Sequence, residues 1–248
     1  MTSKILITGA TGFVGSHIVS QLLANQRQLV CTSRSAMSLT GCECHVVADL
    51  SADTDWSACL SDVQTVIHCA ARVHVMDETS DDPIAAFRRV NVAGTLALAE
   101  QAAKEGASQF IYLSSVKVNG EATVLGHPYT ELSHPQACDA YGRSKLEAEQ
   151  GLIECGQRTG MAITIIRPPL VYGKGVGANF LSLLRAVRKQ IPLPLASIKN
   201  KRSLIFVKNL ANFIDTCLQN PLAYNQTFLV SDDHDLSTPE LLQQAALA

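Results

Sequence analysis

Residues 8 to 15 read Thr8-Gly9-Ala10-Thr11-Gly12-Phe13-Val14-Gly15. They follow the apolar run Lys4-Ile5-Leu6-Ile7 and open a stretch that places Val14, Ile18, Leu22 and Leu23 on one face at helical spacing. Three glycines between a strand and a helix have a physical reading: a tight turn, a close backbone approach to a pyrophosphate, and close packing of the helix on the sheet. The start of the helix then offers unpaired N–H groups and the positive end of its dipole to the phosphates. A purely structural turn would use the same glycines, but the position at the first strand-to-helix junction points to a dinucleotide site. Gly9, Thr11, Gly12, Phe13, Val14 and Gly15 are its expected cofactor-binding residues.

Outward from this loop, strand-like runs fall at residues 5–8, 29–32, 44–48, 65–70, 109–114 and 162–167. Helical stretches at 13–25, 82–105 and 140–158 lie between them, the last two closed by Gly106 and Gly160. Alternating strands and helices predict an α/β fold, a Rossmann-type doubly wound parallel sheet covered on both faces. After Arg167 the texture changes. Pro168-Pro169, then Gly173, Gly175 and Gly177, then Pro192 and Pro194 read as irregular; a strand at 203–207, a helix at 208–218 and a strand at 226–230 follow. Ser237-Thr238-Pro239-Glu240 is a helix start, with a hydroxyl cap and an acid in the first turn. The expected organisation is an NAD(P)-binding domain over 1–167 and a small, apparently truncated substrate-binding lobe over 168–248, interleaved with the Rossmann core.

Twenty Lys and Arg residues against 22 Asp and Glu leave a net charge of −2. That balance argues against nucleic-acid and membrane-surface partners, which call for a basic excess. No charged-then-apolar leader precedes the first strand, and no apolar run approaches the roughly 20 residues that span a bilayer, so the expected location is the cytoplasm. Eight scattered cysteines, several in apolar runs, fit free thiols in a reducing compartment. Cys42-Glu43-Cys44-His45 has no second Cys/His pair at zinc-ligand spacing, so no metal site is expected.

Two further places carry chemistry. The second strand ends in Thr32-Ser33-Arg34-Ser35. An NAD site usually has an acid there for the ribose hydroxyl; Arg34 could instead pair with a 2′-phosphate. The expected cofactor is NAD or NADP, with NADP favoured, and Asp49-Leu50 after the third strand is placed to touch the adenine. In Tyr141-Gly142-Arg143-Ser144-Lys145, Tyr141 and Lys145 share a helix face. Bringing a tyrosine from its ordinary value near 10 into the neutral range takes about 4 kcal/mol in favour of the anion. An adjacent ammonium plus a cationic nicotinamide can supply that order of energy. Ser114-Ser115, where the fifth strand ends, offers a hydroxyl to hold a substrate oxygen.

Together these segments resemble the extended short-chain dehydrogenase/reductase family, in its NAD-dependent nucleotide-sugar epimerase/dehydratase branch. The resemblance runs through the glycine loop, Val66-Ile67-His68-Cys69-Ala70-Ala71, Asn91-Val92-Ala93-Gly94-Thr95, Leu113-Ser114-Ser115 and the Tyr141 to Lys145 motif. It continues through Arg167-Pro168-Pro169-Leu170-Val171-Tyr172-Gly173, Asn179-Phe180-Leu181 and residues 202–207. It implies Ser115, Tyr141, Lys145 and Asn91 as catalytic residues. Ala70, Ala71 and Pro168 join Tyr141 and Lys145 as cofactor contacts, and Ser115, Asn179 and Arg202 hold a nucleotide-sugar substrate. It also implies a homodimer built on the helices at 82–105 and 140–158. Family dehydratases carry acids directly after the catalytic hydroxyl; Val116 and Lys117 stand there, which argues against a 4,6-dehydratase. Leu170 replaces an asparagine common among sugar epimerases, and Asn119 replaces a usual tyrosine.

The resulting expectation is epimerisation at C4 of a UDP-hexose through a 4-keto intermediate. An NADPH-dependent 4-keto-sugar reductase of surface-polysaccharide sugar synthesis is the alternative that Arg34 favours. A non-catalytic NAD(P)-binding module is the alternative of another class.

Overall fold

The computed structural model describes residues 3–73, 82–124, 126–189 and 198–247. The chain opens with β1 (Lys4–Thr8), the glycine turn and α1 (Phe13–Ala24), then β2 (Leu29–Ser33), β3 (Cys42–Val46), a single helical turn α2 (Ser57–Leu60) and β4 (Val63–His68). A helical rod follows in three pieces: α3 (Pro83–Phe87), a π-helical turn (Arg88–Gly94) and α4 (Thr95–Lys104). After β5 (Gln109–Leu113) come a 3₁₀ turn (Val116–Val118), the long α5 (Ala140–Thr159) and β6 (Ala162–Arg167). The remaining elements are β7 (Leu170–Tyr172), α6 (Ala178–Arg188), β8 (Leu204–Phe206), α7 (Val207–Cys217), β9 (Gln226–Leu229) and α8 (Thr238–Leu247).

Seven strands form one parallel sheet in the order β3-β2-β1-β4-β5-β6-β9, and β7 and β8 pair separately, also in parallel. Ile5, Leu6 and Ile7 are all buried, as a strand covered on both faces requires. Two cores result. One packs Leu6, Trp56, Val66, Leu98, Phe110 and Leu152 beneath α4 and α5. The other packs Ile7, Ile18, Leu22, Leu210 and Ile214 beneath α1 and α7. Strand order reverses between β1 and β4, and ligands of such sheets bind in the crevice at the carboxyl ends there.

The doubly wound sheet agrees with the expectation, while several boundaries differ. The strands expected at 44–48 and 65–70 start two residues earlier. The long helix expected at 82–105 is interrupted by the π turn. The stretch read as irregular after Arg167 contains β7 and α6. A three-residue strand is too short to show a period, and its partner β8 lies some thirty residues on. α5 stops where expected, at Gly160 in the left-handed region (φ 80°).

A buried ion pair ties α5 to the sheet. Arg167, ending β6, donates from Nε to Glu149 Oε1 (3.0 Å) and from a terminal nitrogen to Oε2 (2.5 Å). Its other terminal nitrogen reaches Asn119 Oδ1 (3.2 Å), and Ser114 Oγ donates to Glu149 Oε1 (2.5 Å). Removing one member leaves the other charge unpaired in the core. Arg167→Met is therefore expected to cost about 3–5 kcal/mol in denaturant unfolding, and the double replacement Glu149→Leu/Arg167→Met far less. Equal costs for the two variants would show that the pair does not act as a unit.

Candidate active site

The glycine turn is shaped by close backbone approaches. Gly9 adopts φ +67°, and a β-carbon on it would fall 2.9 Å from the Ala70 nitrogen. One on Gly15 would run into the Gly9 carbonyl. Gly12 caps α1 without a side-chain hydrogen bond, so no side chain claims the first-turn N–H groups. Thr11 and Gly12 are exposed, and Phe13 and Val14 half-buried. This uncapped helix start, beside a cradle that β-carbons would fill, fits a dinucleotide diphosphate.

The rim of the crevice sorts the other expected cofactor residues. Arg34 is exposed just past β2, beside Ser33, whose hydroxyl donates to the Ser35 carbonyl. Asp49 is exposed and ion-pairs with Arg89 of the π turn, while Leu50 is half-buried. Ala70 lies against Gly9 in the loop after β4, and Ala71 follows it, half-buried. The Pro168 carbonyl accepts from Val116 N (3.0 Å), joining the end of β6 to the loop after β5.

Beneath the turn lies a residue whose part the sequence reading missed. His68 Nδ1 meets Thr8 Oγ1 (2.7 Å), and its Nε2 meets Thr95 Oγ1 (3.0 Å). Thr8 Oγ1 also accepts from Ala70 N (3.2 Å). Burial pushes His68 down to about 3, helped by the charge of Lys145. A neutral imidazole thus joins β1, β4 and α4. The signal in the sequence was a histidine closing the strand directly after Val66-Ile67.

Asn91 sits in the π turn, fully buried. Its amide donates to the Arg72 carbonyl (3.0 Å) and to Ser144 Oγ (3.0 Å), and its carbonyl accepts from Arg72 N (2.8 Å). It thereby fastens the segment after β4 to α5. π-helical turns commonly mark functional positions; this one directs Asn91 inward.

The structure separates the two adjacent serines. Ser114 faces into the core and serves Glu149, whereas Ser115 caps the 3₁₀ turn, accepting from Lys117 N (3.2 Å), with its side chain near enough to Tyr141 to favour the phenolate. Four residues past Tyr141 on α5, Lys145 is buried, donating from Nζ to the Leu113 carbonyl (2.9 Å). Its nitrogen lies 4.5 Å from the ring centroid of Tyr112 and 5.9 Å from that of Tyr141. Ser115, Tyr141 and Lys145 therefore converge where β5 ends.

The electrostatics bear on how the phenolate forms. Burial pushes the Tyr141 hydroxyl up to about 12, the Asp139 carboxylate adds to this, and the Ser115 hydrogen bond opposes it. The lysine does not by itself make the phenol acidic. Lys145 is in turn brought down to about 8 by burial, against the pull of Cys69 and Glu149.

The expected substrate residues are more scattered. Arg202 is exposed, and its backbone pairs with Leu236 in an antiparallel bridge. Asn179 falls in the first turn of α6, and its side chain lies outside the described residues. All eight cysteines are free, and among the described residues no group of three His, Cys, Asp or Glu could hold a metal ion. Among them, too, no helix is long and apolar enough to cross a membrane.

Comparison with known proteins agrees with this geometry. The model of the NAD dependent epimerase/dehydratase family matches residues 5–230. A UDP-glucose 4-epimerase of Vibrio cholerae is 47% identical over 251 residues, covering 100% of this chain and 76% of that protein. An N-acetyl-alpha-D-glucosaminyl-diphospho-ditrans,octacis-undecaprenol 4-epimerase of Escherichia coli O157:H7 is 27% identical, over 98% of this chain and 72% of its own length. Among solved structures, MoeE5 in complex with UDP-glucuronic acid and NAD superposes with a TM-score of 0.85 at 25% identity, over 99% of this chain and 82% of that one.

The buried ammonium carries a stability consequence. Lys145 titrates at about 8 in the folded chain against an ordinary 10.5, so folding weakens its hold on a proton. Its cost is present in full below about pH 8 and fades as the pH rises to 10.5. Lys145→Met is expected to raise the melting temperature at pH 7, and the gain should vanish above pH 10.5. A melting temperature that falls at pH 7 would contradict this account of the lysine.

Proposed function

The chain belongs to the NAD dependent epimerase/dehydratase family, and from that premise we propose that it is a nucleotide-sugar epimerase acting at C4 of a UDP-hexose. The observation that carries the reading is the meeting of Ser115, Tyr141 and Lys145 at the end of β5, beside the uncapped start of α1. The similarity to a UDP-glucose 4-epimerase over the whole chain supports the substrate class.

In the proposed reaction, Tyr141 as phenolate takes the proton of the sugar C4 hydroxyl, and Ser115 holds that oxygen by hydrogen bond. When bound, the dinucleotide supplies hydride exchange at C4. Tyr141 then returns its proton to the 4-keto oxygen after the sugar has turned over. Lys145 holds its charge near the phenol and is placed to reach the nicotinamide ribose. Because burial works against the phenolate, the positive nicotinamide ring belongs in the energetics alongside Lys145. Asn91 acts as a positioning residue, holding α5 through Ser144. Gly9, Thr11, Gly12, Phe13, Val14, Gly15, Ala70, Ala71 and Pro168 are assigned to the dinucleotide, and Asn179 and Arg202, by resemblance to the family, to the substrate diphosphate. Asp49, exposed and ion-paired with Arg89, and the half-buried Leu50 beside it are the candidates for contact with adenine.

Arg34, with no carboxylate at the end of β2, supports acceptance of NADP and keeps a 4-keto-sugar reductase as the second reading. We further propose a homodimer paired through α4 and α5, the latter exposing Ile153, in a cytoplasmic setting. Sedimentation reports the assembly.

Two measurements test the proposal. With UDP-galactose as probe, the protein should form UDP-glucose with no net change in nicotinamide absorbance; stoichiometric consumption of NADPH on addition of a UDP-4-keto-hexose, without epimerisation of UDP-galactose, would mark the reductase. Tyr141→Phe should lower kcat by about 100- to 10,000-fold and leave cofactor affinity within a few-fold. Turnover unaffected by that change would remove Tyr141 from the chemistry. In direct titration NADP is expected to bind at least as tightly as NAD, and a clear preference for NAD would dismiss the part given to Arg34.

A further inference from the structure

We propose that Lys117 is a positioning residue for the proton-transfer pair, fastening the Ser115 loop to the first turn of α5 and supplying the countercharge to Asp139, the carboxylate that caps the Tyr141 helix. The inference rests on the reading of Ser115 and Tyr141 given above.

Three contacts converge on this one residue. Lys117 N donates to Ser115 Oγ (3.2 Å), which orients the hydroxyl that meets Tyr141. The Lys117 carbonyl packs on Gly142, where a β-carbon would fall 2.8 Å from it, so the residue after Tyr141 has to be glycine for the loop to come this near. Lys117 Nζ donates to Asp139 Oδ2 (2.6 Å), while Asp139 Oδ1 accepts from Gly142 N (2.6 Å) as the N-cap of α5. Backbone nitrogen, backbone oxygen and side chain thus each touch a different part of the Ser115–Tyr141 arrangement.

The pair also has an electrostatic bearing on Tyr141. The groups around the phenol are Lys145 and, further along, Glu149 on its own helix; Asp139 at the cap; Ser115 and Lys117 on the loop, with Glu121 3.7 Å from the Lys117 nitrogen; Tyr112 on β5; and the Phe87 ring, over which Arg72 lies. Of the two carboxylates near the helix start, Asp139 is the one that makes the phenolate harder to form. A cation held against it reduces that effect. Lys117 occupies a position where dehydratases of the resembling family carry an acid; here the position stabilises the phenolate and offers no carboxylate to the substrate.

The test is a two-residue cycle on the full chain loaded with NAD. Tyr141 ionisation is followed as tyrosinate ultraviolet absorbance after subtraction of the Tyr141→Phe profile, and the acid limb of kcat/KM is followed with UDP-galactose. Lys117→Met keeps the aliphatic stem and removes the charge, and Asp139→Asn keeps the helix cap. Lys117→Met should move the Tyr141 midpoint and the acid limb up by about half a pH unit, Asp139→Asn should move them down by about as much, and the double variant should return near the parent. Midpoints that coincide in all four proteins overturn the proposal, even if Lys117→Met lowers turnover. Shifts of the same sign in both single variants overturn it as well. If the tyrosinate midpoints move as expected while UDP-galactose is not turned over, the proposal for Lys117 stands and the epimerase reading fails.

Discussion

A lysine ammonium sunk into the protein, with a carbonyl and the face of an aromatic ring for company, is the interaction around which this molecule is arranged. Lys145 reaches the Leu113 carbonyl at the end of β5 and lies over Tyr112, a residue of the same strand. Among the described residues it makes no ion pair, so its charge is held by these contacts and by the more distant field of Glu149. Such an arrangement is costly unless the helix that carries it is held immovably. The Glu149–Arg167 pair one turn further on does the holding, with Asn91 gripping the same helix from the π turn. The stability of α5 and the reactivity of Tyr141 are consequently one problem: what keeps the helix in register also keeps a charge beside the phenol.

Much of this was legible in the sequence because the fold is written in repeating, local patterns. The glycine turn, the buried strand β1 and the helix behind it follow from one unbroken stretch, Lys4 to Ala24, and the parallel sheet follows from repetition of that unit. The separation of Tyr141 from Lys145 is a helical period, visible without coordinates. The choice between Ser114 and Ser115 was open to the eye as well, since consecutive residues leaving a strand point to opposite sides; the structure shows which side is core.

What stayed hidden depends on contacts between distant segments. β7 has meaning only through β8, whose residues lie beyond an intervening helix. The π turn that directs Asn91 inward leaves no trace in the spacing of apolar residues. The ion pair of Asp49 with Arg89 joins the loop after β3 to the helical rod, across forty residues of sequence that carry no sign of it. The surroundings of Tyr141 were legible only in part: a nearby ammonium is apparent from spacing, but the burial of the phenol and the placement of Asp139 emerge only when the loop after β5 folds onto α5.

β9 pairs with β6 in parallel register, from Thr164 opposite Gln226 to Arg167 opposite Leu229, and α7, which leads to it, packs in the same core as α1. The chain thus leaves the large sheet at Arg167 and comes home to it after some sixty residues. β7, α6 and β8 thus lie, along the chain, between two strands of the large sheet, and α8, beyond β9, packs back against α6. Exchange of the chain with a relative at a single point after β6 would therefore replace the outermost strand of the sheet along with β7, α6 and β8, and only exchange at two points would leave the seven-stranded scaffold whole.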